Sequence, residues 1–491
     1  MIHNNTALDL KKINNCYVNF LNHSSVILSS KEVRILCDPW FKGSAFNGWS
    51  LLHDQSHDIN SLSYDYIWIS HEHPDHFSIP TLSQLNSSKT FLYQETKDKK
   101  VKHYLEKKGH KVIELPNKKT IRLKDLLITC VTCDGYDSTL IAKFPNDKVV
   151  ININDARVNL DDDYLKNEIM PILQGEDVDL LMCQSSYANW AGNKGDVLIP
   201  RHQQEMVDKK NIHAMEILRP KAIMLFASFI YYSHEENFYW NDISWFDHTF
   251  ELFSKKKSQV IIPLPDQIIA LDNIISNDLE EKNKIAKDFW NKALKNIKII
   301  TKSNVLSLEN LKSDYEKFIK NLHEKNTLIS KLDTDKNFII TLMINDLGLN
   351  ISIGLLKNHF VVEERVSRYC AKVSSETFSF LMNNPFGRGT ITINSRAEFD
   401  YDYAHQFFLF FFINYANNIG KYFDEFSKIS YELLCSINRT SVMSCILVYN
   451  ENAKQNLHSD AILLSNLFSK VVHSDEDLNK FNDEPPNSKL G

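Results

Sequence analysis

Residues 71–76, His-Glu-His-Pro-Asp-His, place three imidazoles and two carboxylates in six positions directly after the apolar run Tyr66–Ser70. Imidazoles this crowded repel one another when protonated, so the cluster is a cost at mildly acid pH unless a cation occupies the neutral rings. A divalent ion reverses that cost. On a loop leaving a strand, side chains two apart point to the same side, so His71 and His73 can converge on one ion while neighbouring groups turn toward a second. Two such ions would activate water for hydrolysis, or dioxygen if they are redox-active.

The elements that must carry this cluster are short strands separated by turns. Tyr17–Leu21, Ser25–Ser29 and Val33–Cys37 are β-like runs, with Asn22-His23-Ser24 and Ser30-Lys31-Glu32 between them and Asp38-Pro39 closing the third. After the cluster, Pro80 suits the first turn of a helix. Strands at Thr90–Tyr93, Lys111–Leu115, Leu126–Cys130, Thr139–Lys143 and Val149–Ile153 then accompany a helix over Lys97–Lys108, the mixture of an α/β layered domain. This catalytic domain is expected to span 1–271, followed by a helical connector over 272–335, a smaller C-terminal α+β domain over 336–450 and a polar tail over 451–491. In the α+β domain, strands are expected from Phe338, Leu349, His359 and Gly389, the last through Asn394.

With 491 residues, 43% of them apolar, the chain has material for two or three cored domains. A net charge of -6 argues against nucleic acid as the partner and for a small molecule. The first residues lack the layout of a signal peptide and no stretch has the roughly 20 apolar residues of a membrane span, so no membrane partner is expected. The eight scattered cysteines point to a reducing cytoplasm. Cys130 and Cys133 form a C-x-x-C without a second pair, a weak zinc or redox signal.

Later strand ends supply more ligand types. Asp155 follows the run Val149–Ile153, where a carboxylate could bridge two ions, and His234 follows another apolar run. Together with Asp38 and the His71-x-His73-x-Asp75-His76 motif, they give the first 270 residues a resemblance to metallo-β-lactamase-fold proteins. That resemblance implies a layered αββα domain in which His71 and His73 hold a first metal, Asp75, His76 and His234 a second, and Asp155 bridges them. Asp38 would orient a ligand imidazole. His23 lies near the pocket in similar sequences. The segments Leu36–Trp49, Ser185–Trp190, Ser233–Asn237 and Asn384–Arg396 narrow the resemblance to the branch that includes CMP-N-acetylneuraminate hydroxylase. The Rieske cluster of that hydroxylase needs Cys-x-His and Cys-x-x-His pairs, which this sequence does not contain.

Similar proteins give the first metal a third histidine, yet positions 111–201 contain none. Asp134 stands near the expected place, with Cys133 and Asp137 as competitors. A carboxylate there favours iron or manganese over zinc. The leading expectation is therefore a di-metal hydrolase with two divalent ions (zinc, iron or manganese), Asp75 and Asp155 being its catalytic carboxylates and Trp40, Trp49, Tyr187 and Trp190 shaping its pocket. A nonhaem diiron oxygenase served by a separate reductase is the alternative, and a metal-stabilised binding protein the non-catalytic one.

Overall fold

The computed structural model describes residues 16–53, 57–133, 137–156, 164–187, 189–190, 192–242, 246–255, 258–330, 337–364, 368–422, 429–438 and 440–469. They fall into two compact units, the first taking residues up to 188 with 201–233 and 240–299, the second taking 189–200, 234–239 and everything from 300.

The first unit contains β1 (Tyr17–Asn22), β2 (Ser25–Ser29), β3 (Arg34–Cys37), β4 (Trp49–Leu51), β5 (Tyr66–Ile69), β6 (Thr90–Gln94), β7 (Lys111–Leu115) and β8 (Thr120–Leu123). It continues with β9 (Leu126–Cys133), β10 (Asp137–Lys143), β11 (Val149–Asn154), β12 (Leu180–Gln184), β13 (Ala222–Phe226), β14 (Ile230–Tyr232), β15 (Gln259–Ile261) and β16 (Gln267–Ala270). Fourteen of these form two seven-stranded sheets, ordered β16-β1-β2-β3-β5-β6-β7 and β15-β13-β12-β11-β10-β9-β8. Every residue of β2, β11 and β13 is buried, which requires cover on both faces of each sheet. On one face of the first sheet, Ile67, Ile69, Phe91 and Tyr93 pack with Leu82, Val101 and Leu105 of the helices Ile79–Leu82 and Lys100–Lys107. On the other face Phe20 of β1 lies 6.4 Å from Phe226 of β13, so the two sheets close on each other. This is the layered α/β fold that the sequence resemblance implies.

Strand register decides where the chemistry gathers. Val26 pairs with Cys37 across antiparallel β2 and β3, and Cys37 with Trp68 across parallel β3 and β5. The turn before β2 and the ends of β3 and β5 therefore share one sheet edge, which brings together His23, Asp38 and the cluster after β5. In the second sheet Leu140 pairs with Asn152 across antiparallel β10 and β11, so the start of β10 and the end of β11 meet, carrying Asp137 and Asp155.

The second unit is α+β, with β17 (Ile339–Ile344), β18 (Leu349–Gly354), β19 (Phe360–Glu363), β20 (Ala371–Val373) and β21 (Glu398–Phe399) in the order β19-β18-β17-β20-β21. Three boundaries differ from the sequence reading. The 272–335 segment is not one connector, because its helices bury their apolar stripes in different units: Trp290 of Leu279–Lys295 stacks on Phe229 of the first at 4.3 Å, while Leu311, Tyr315 and Phe318 of Leu308–Lys325 enter the core of the second. Gly387–Asn394 is a helix rather than a strand. Its buried positions 387, 388, 391 and 392 recur at helical spacing, and this burial overrides the β-branched Thr-Ile-Thr-Ile alternation. Within the expected polar tail, Glu451–Ser469 is a helix that buries Ala453, Leu457, Ala461 and Leu464. Residues 470–491 lie outside the described residues. Among the described residues no helix is long and apolar enough to cross a membrane.

Candidate metal centre

Asp38 organises the sheet edge. Buried and left-handed at φ 42°, it accepts from the Ser70 backbone N–H through Oδ1 at 2.8 Å, and through Oδ2 from the Ser70 hydroxyl at 2.7 Å and Asn154 Nδ2 at 2.6 Å. His76 Nδ1 lies 3.0 Å from the same Oδ2. With a carboxylate as its neighbour, that nitrogen carries a hydrogen, so Nε2 is the ring atom that could ligate. Ser70 does the equivalent for His71: its hydroxyl hydrogen is given to Asp38, so its oxygen accepts from His71 Nδ1, 2.9 Å away, and His71 Nε2 is left with its lone pair.

Two groups of ligand atoms result, each within 4.8 Å: His71, His73 and Asp155 in one, His23, Asp75 and His76 in the other. His71 Nε2 and His73 Nδ1 face each other at 2.8 Å. Asp155 Oδ2 is 3.9 Å from His71 Nε2 and 3.3 Å from His76 Nε2, within reach of both groups. Asp75 Oδ2 lies 3.4 Å from His23 Nε2 and 3.3 Å from His76 Nε2. His76 Nε2 has no aligned hydrogen-bond partner among the described residues despite those short distances, and Asp75 Oδ1 and Asp155 Oδ1 are likewise buried without one. Leaving several such atoms unpaired costs about 1–3 kcal/mol each, so this donor set fits cations better than the bare network it forms by itself.

The electrostatics differ from ring to ring. Burial, with His76 beside it, pushes His71 down to about 4, and burial with His71 lowers His73, so both rings stay neutral and able to ligate. Burial alone would lower His76 too, but Asp75, Asp155 and Asp38 hold it well above the ordinary histidine value. Burial would raise Asp75 and Asp155, yet His76 holds both below the usual carboxylate range.

Of the residues singled out in the sequence, His71, His73, Asp75, His76 and Asp155 come together here. His23 joins them, which its place in an Asn-His-Ser turn only hinted at. Asp134 lies outside the described residues, but its competitor Asp137 places Oδ1 3.8 Å from His71 Nε2. His234 belongs to the second unit, where it bridges to Thr301 and its Nε2 and Nδ1 lie 3.9 Å from Glu376 and Glu236. Those glutamates both bind Arg396 at 2.7 Å, an ion-pair group that sequence motifs did not disclose. Trp190 is also in the second unit, in its core with Phe399 and Tyr401, so its burial is accounted for by packing. Trp40 packs edge-on to His23 at 5.4 Å, and Trp49 packs on Phe46, which itself meets the His73 ring. Cys130 and Cys133 form no disulfide, and burial pushes the Cys130 thiol up to about 12, the reverse of an activated thiol.

The family model for the beta-lactamase superfamily domain matches residues 17–142, the segment that carries the motif. The cytidine monophosphate-N-acetylneuraminic acid hydroxylase of Danio rerio is 24% identical over 316 residues, covering 55% of this chain and 50% of that protein. The hydroxylase of the same name from Xenopus laevis is 30% identical over 154 residues, covering 29% of this chain and 26% of its own length. This chain therefore spans half or less of the hydroxylases it matches. Among solved structures, CmlA, a diiron beta-hydroxylase from Streptomyces venezuelae, aligns with a TM-score of 0.37 at 13% identity, over 52% of this chain and 54% of the other.

Proposed function

We propose that the first unit is the catalytic unit of a di-metal hydrolase acting on a small polar metabolite. The observation that carries this reading is the position of Asp155 Oδ2, within 3.3 Å of His76 Nε2 and 3.9 Å of His71 Nε2, as a carboxylate shared by two ligand groups. His71, His73 and Asp137 would hold one ion and His23, Asp75 and His76 the other. The sequence resemblance also implies His234 and Asp134 as ligands; the first is described with the second unit and the other lies outside the described residues. A pair of zinc, iron or manganese ions, when bound, lowers the pKa of water and polarises the substrate oxygen. The chain's own part is to orient and to hold protons. Asp155 fixes the two groups relative to each other, Asp38 and Ser70 keep the ring hydrogens off the ligating nitrogens, and Asp75 Oδ1 accepts a hydrogen bond from the attacking water. Phe46 and Trp49 wall the His73 side. The eight cysteines, none in a disulfide, support a reducing cytoplasmic setting.

A second reading is supported by Asp137 standing where a third histidine would make a zinc site, and by the hydroxylase names of the curated relatives. Two sites each with two imidazoles and carboxylate oxygens suit iron, and the protein would then be a nonhaem diiron oxygenase supplied with electrons by a separate reductase. Metal analysis of protein purified without chelator, with its visible spectrum, separates the two. Two zinc ions per chain and a colourless protein support hydrolysis; two irons and oxygen uptake on reduction support oxygenation. Less than one ion of any kind per chain would overturn both.

A further inference from the structure

Asn154 ends β11 one residue before Asp155, with φ 56°. Asparagine tolerates this left-handed backbone better than most residues but still bears a cost there. It is 3% exposed, and its Oδ1 has no hydrogen-bond partner among the described residues. A backbone penalty and an unpaired buried oxygen at one residue suggest that the other half of its amide is needed.

That half is Nδ2, which lies 2.6 Å from Asp38 Oδ2, 2.9 Å from Ser70 Oγ and 3.1 Å from His76 Nδ1. An amide nitrogen has two hydrogens, and His76 Nδ1 carries its own toward Asp38, so the two go to Asp38 and to Ser70. Because Ser70 Oγ accepts from Asn154, its single hydrogen is left to point at Asp38, 2.7 Å away, and a lone pair remains for the His71 ring. Asp38 in turn fixes the His76 ring. One side chain of the second sheet thereby sets the tautomer of a ligand in each of the two groups.

We propose that Asn154 is a positioning residue that holds Asp38 and the Ser70 hydroxyl so that His71 and His76 both present Nε2 to metal. The inference rests on the dinuclear reading above and adds a residue outside the ligand set. The test is a titration of metal-free, full-length protein with Zn²⁺ at pH 8, in the native chain and in Asn154→Gly and Asn154→Asp. Glycine keeps the left-handed backbone and removes the amide; aspartate keeps the shape but, sharing a proton with Asp38 beside it, supplies at most one of the amide's two hydrogens. Each variant is expected to fold with native circular dichroism and to bind both ions about 10–100-fold more weakly. In ¹⁵N spectra of histidine-labelled, metal-free protein, the His71 ring should move from the single Nδ1–H form to a mixture, a change that a merely structural role would not produce. Native affinity in either variant, or an unmoved His71 tautomer in the glycine variant, overturns the assignment of Asn154. A native chain that binds no Zn²⁺ at all overturns the dinuclear reading itself.

Discussion

Asp38 Oδ2 and His76 Nδ1 lie 3.0 Å apart with neither side chain reached by solvent. In that setting the carboxylate chooses the tautomer of the ring, and the ring can ligate only through Nε2.

Replacing that carboxylate should therefore act through the histidine. Asp38→Asn is nearly isosteric, but its amide can offer a hydrogen where an acceptor is needed, and His76 is expected to lose its fixed tautomer. Metal affinity at the His76 group should fall about 10–100-fold in calorimetric titration, with a smaller effect at His73. Unchanged affinity at both would show that His76 needs no such partner.

His23 and His234 can be separated by stoichiometry. His23 Nε2 lies 3.4 Å from Asp75 within the first unit, so His23→Ala is expected to lower bound metal from two ions to one. His234→Ala, measured alongside, reports whether the ligand implied by resemblance is used as well. Two ions retained in the His23 variant would remove it from the site.

Asp137→Ala and Asp134→His address the first ion. If Asp137, 3.8 Å from His71, is the ligand, its alanine variant should lose iron or manganese at least tenfold more readily than the native chain, and Asp134→His should leave the metal preference unchanged. A shift toward zinc in Asp134→His would make Asp134 the ligand instead. Competition dialysis against equal zinc and iron gives the answer.

Acid should reveal the ion pairs around Arg396. Burial would raise Glu236, but the Arg396 guanidinium beside it holds it below its ordinary value, and Glu376 is lowered in the same way. A carboxylate with a depressed folded-state pKa contributes stability that is complete above its unfolded value, about 4.3, and is lost as pH falls through the folded value. Denaturant unfolding of the native chain should therefore weaken below about pH 4.3, and Glu236→Gln should be less stable at pH 7 but lose less on acidification. Parallel slopes for the two proteins would show that this pair does not govern the acid limb.

Much of the centre is legible in the chain because His71, His73, Asp75 and His76 are local, and their order after a strand already fixes their convergence. The parts that sequence left open are non-local. His23 meets Asp75 across 52 positions only because β2 runs antiparallel to β3 and β3 parallel to β5. Asp137 begins β10 opposite the end of β11, and nothing in Cys133–Asp137 marks where the strand starts. The helix Gly387–Asn394 was hidden because burial, not propensity, chose its period. Asn154 carries no motif at all; its role follows from which donors lie beside Asp38.

The proposed ligands come from both sheets: His71, His73 and His76 from the first, Asp137 and Asp155 from the second. Bound ions would consequently act as rivets between two layers that otherwise adhere through apolar faces. Parting the layers and releasing the metal then become a single event, so a chelator should lower the melting temperature of the first unit. Excess metal should raise it by an increment that grows with the logarithm of the free ion concentration.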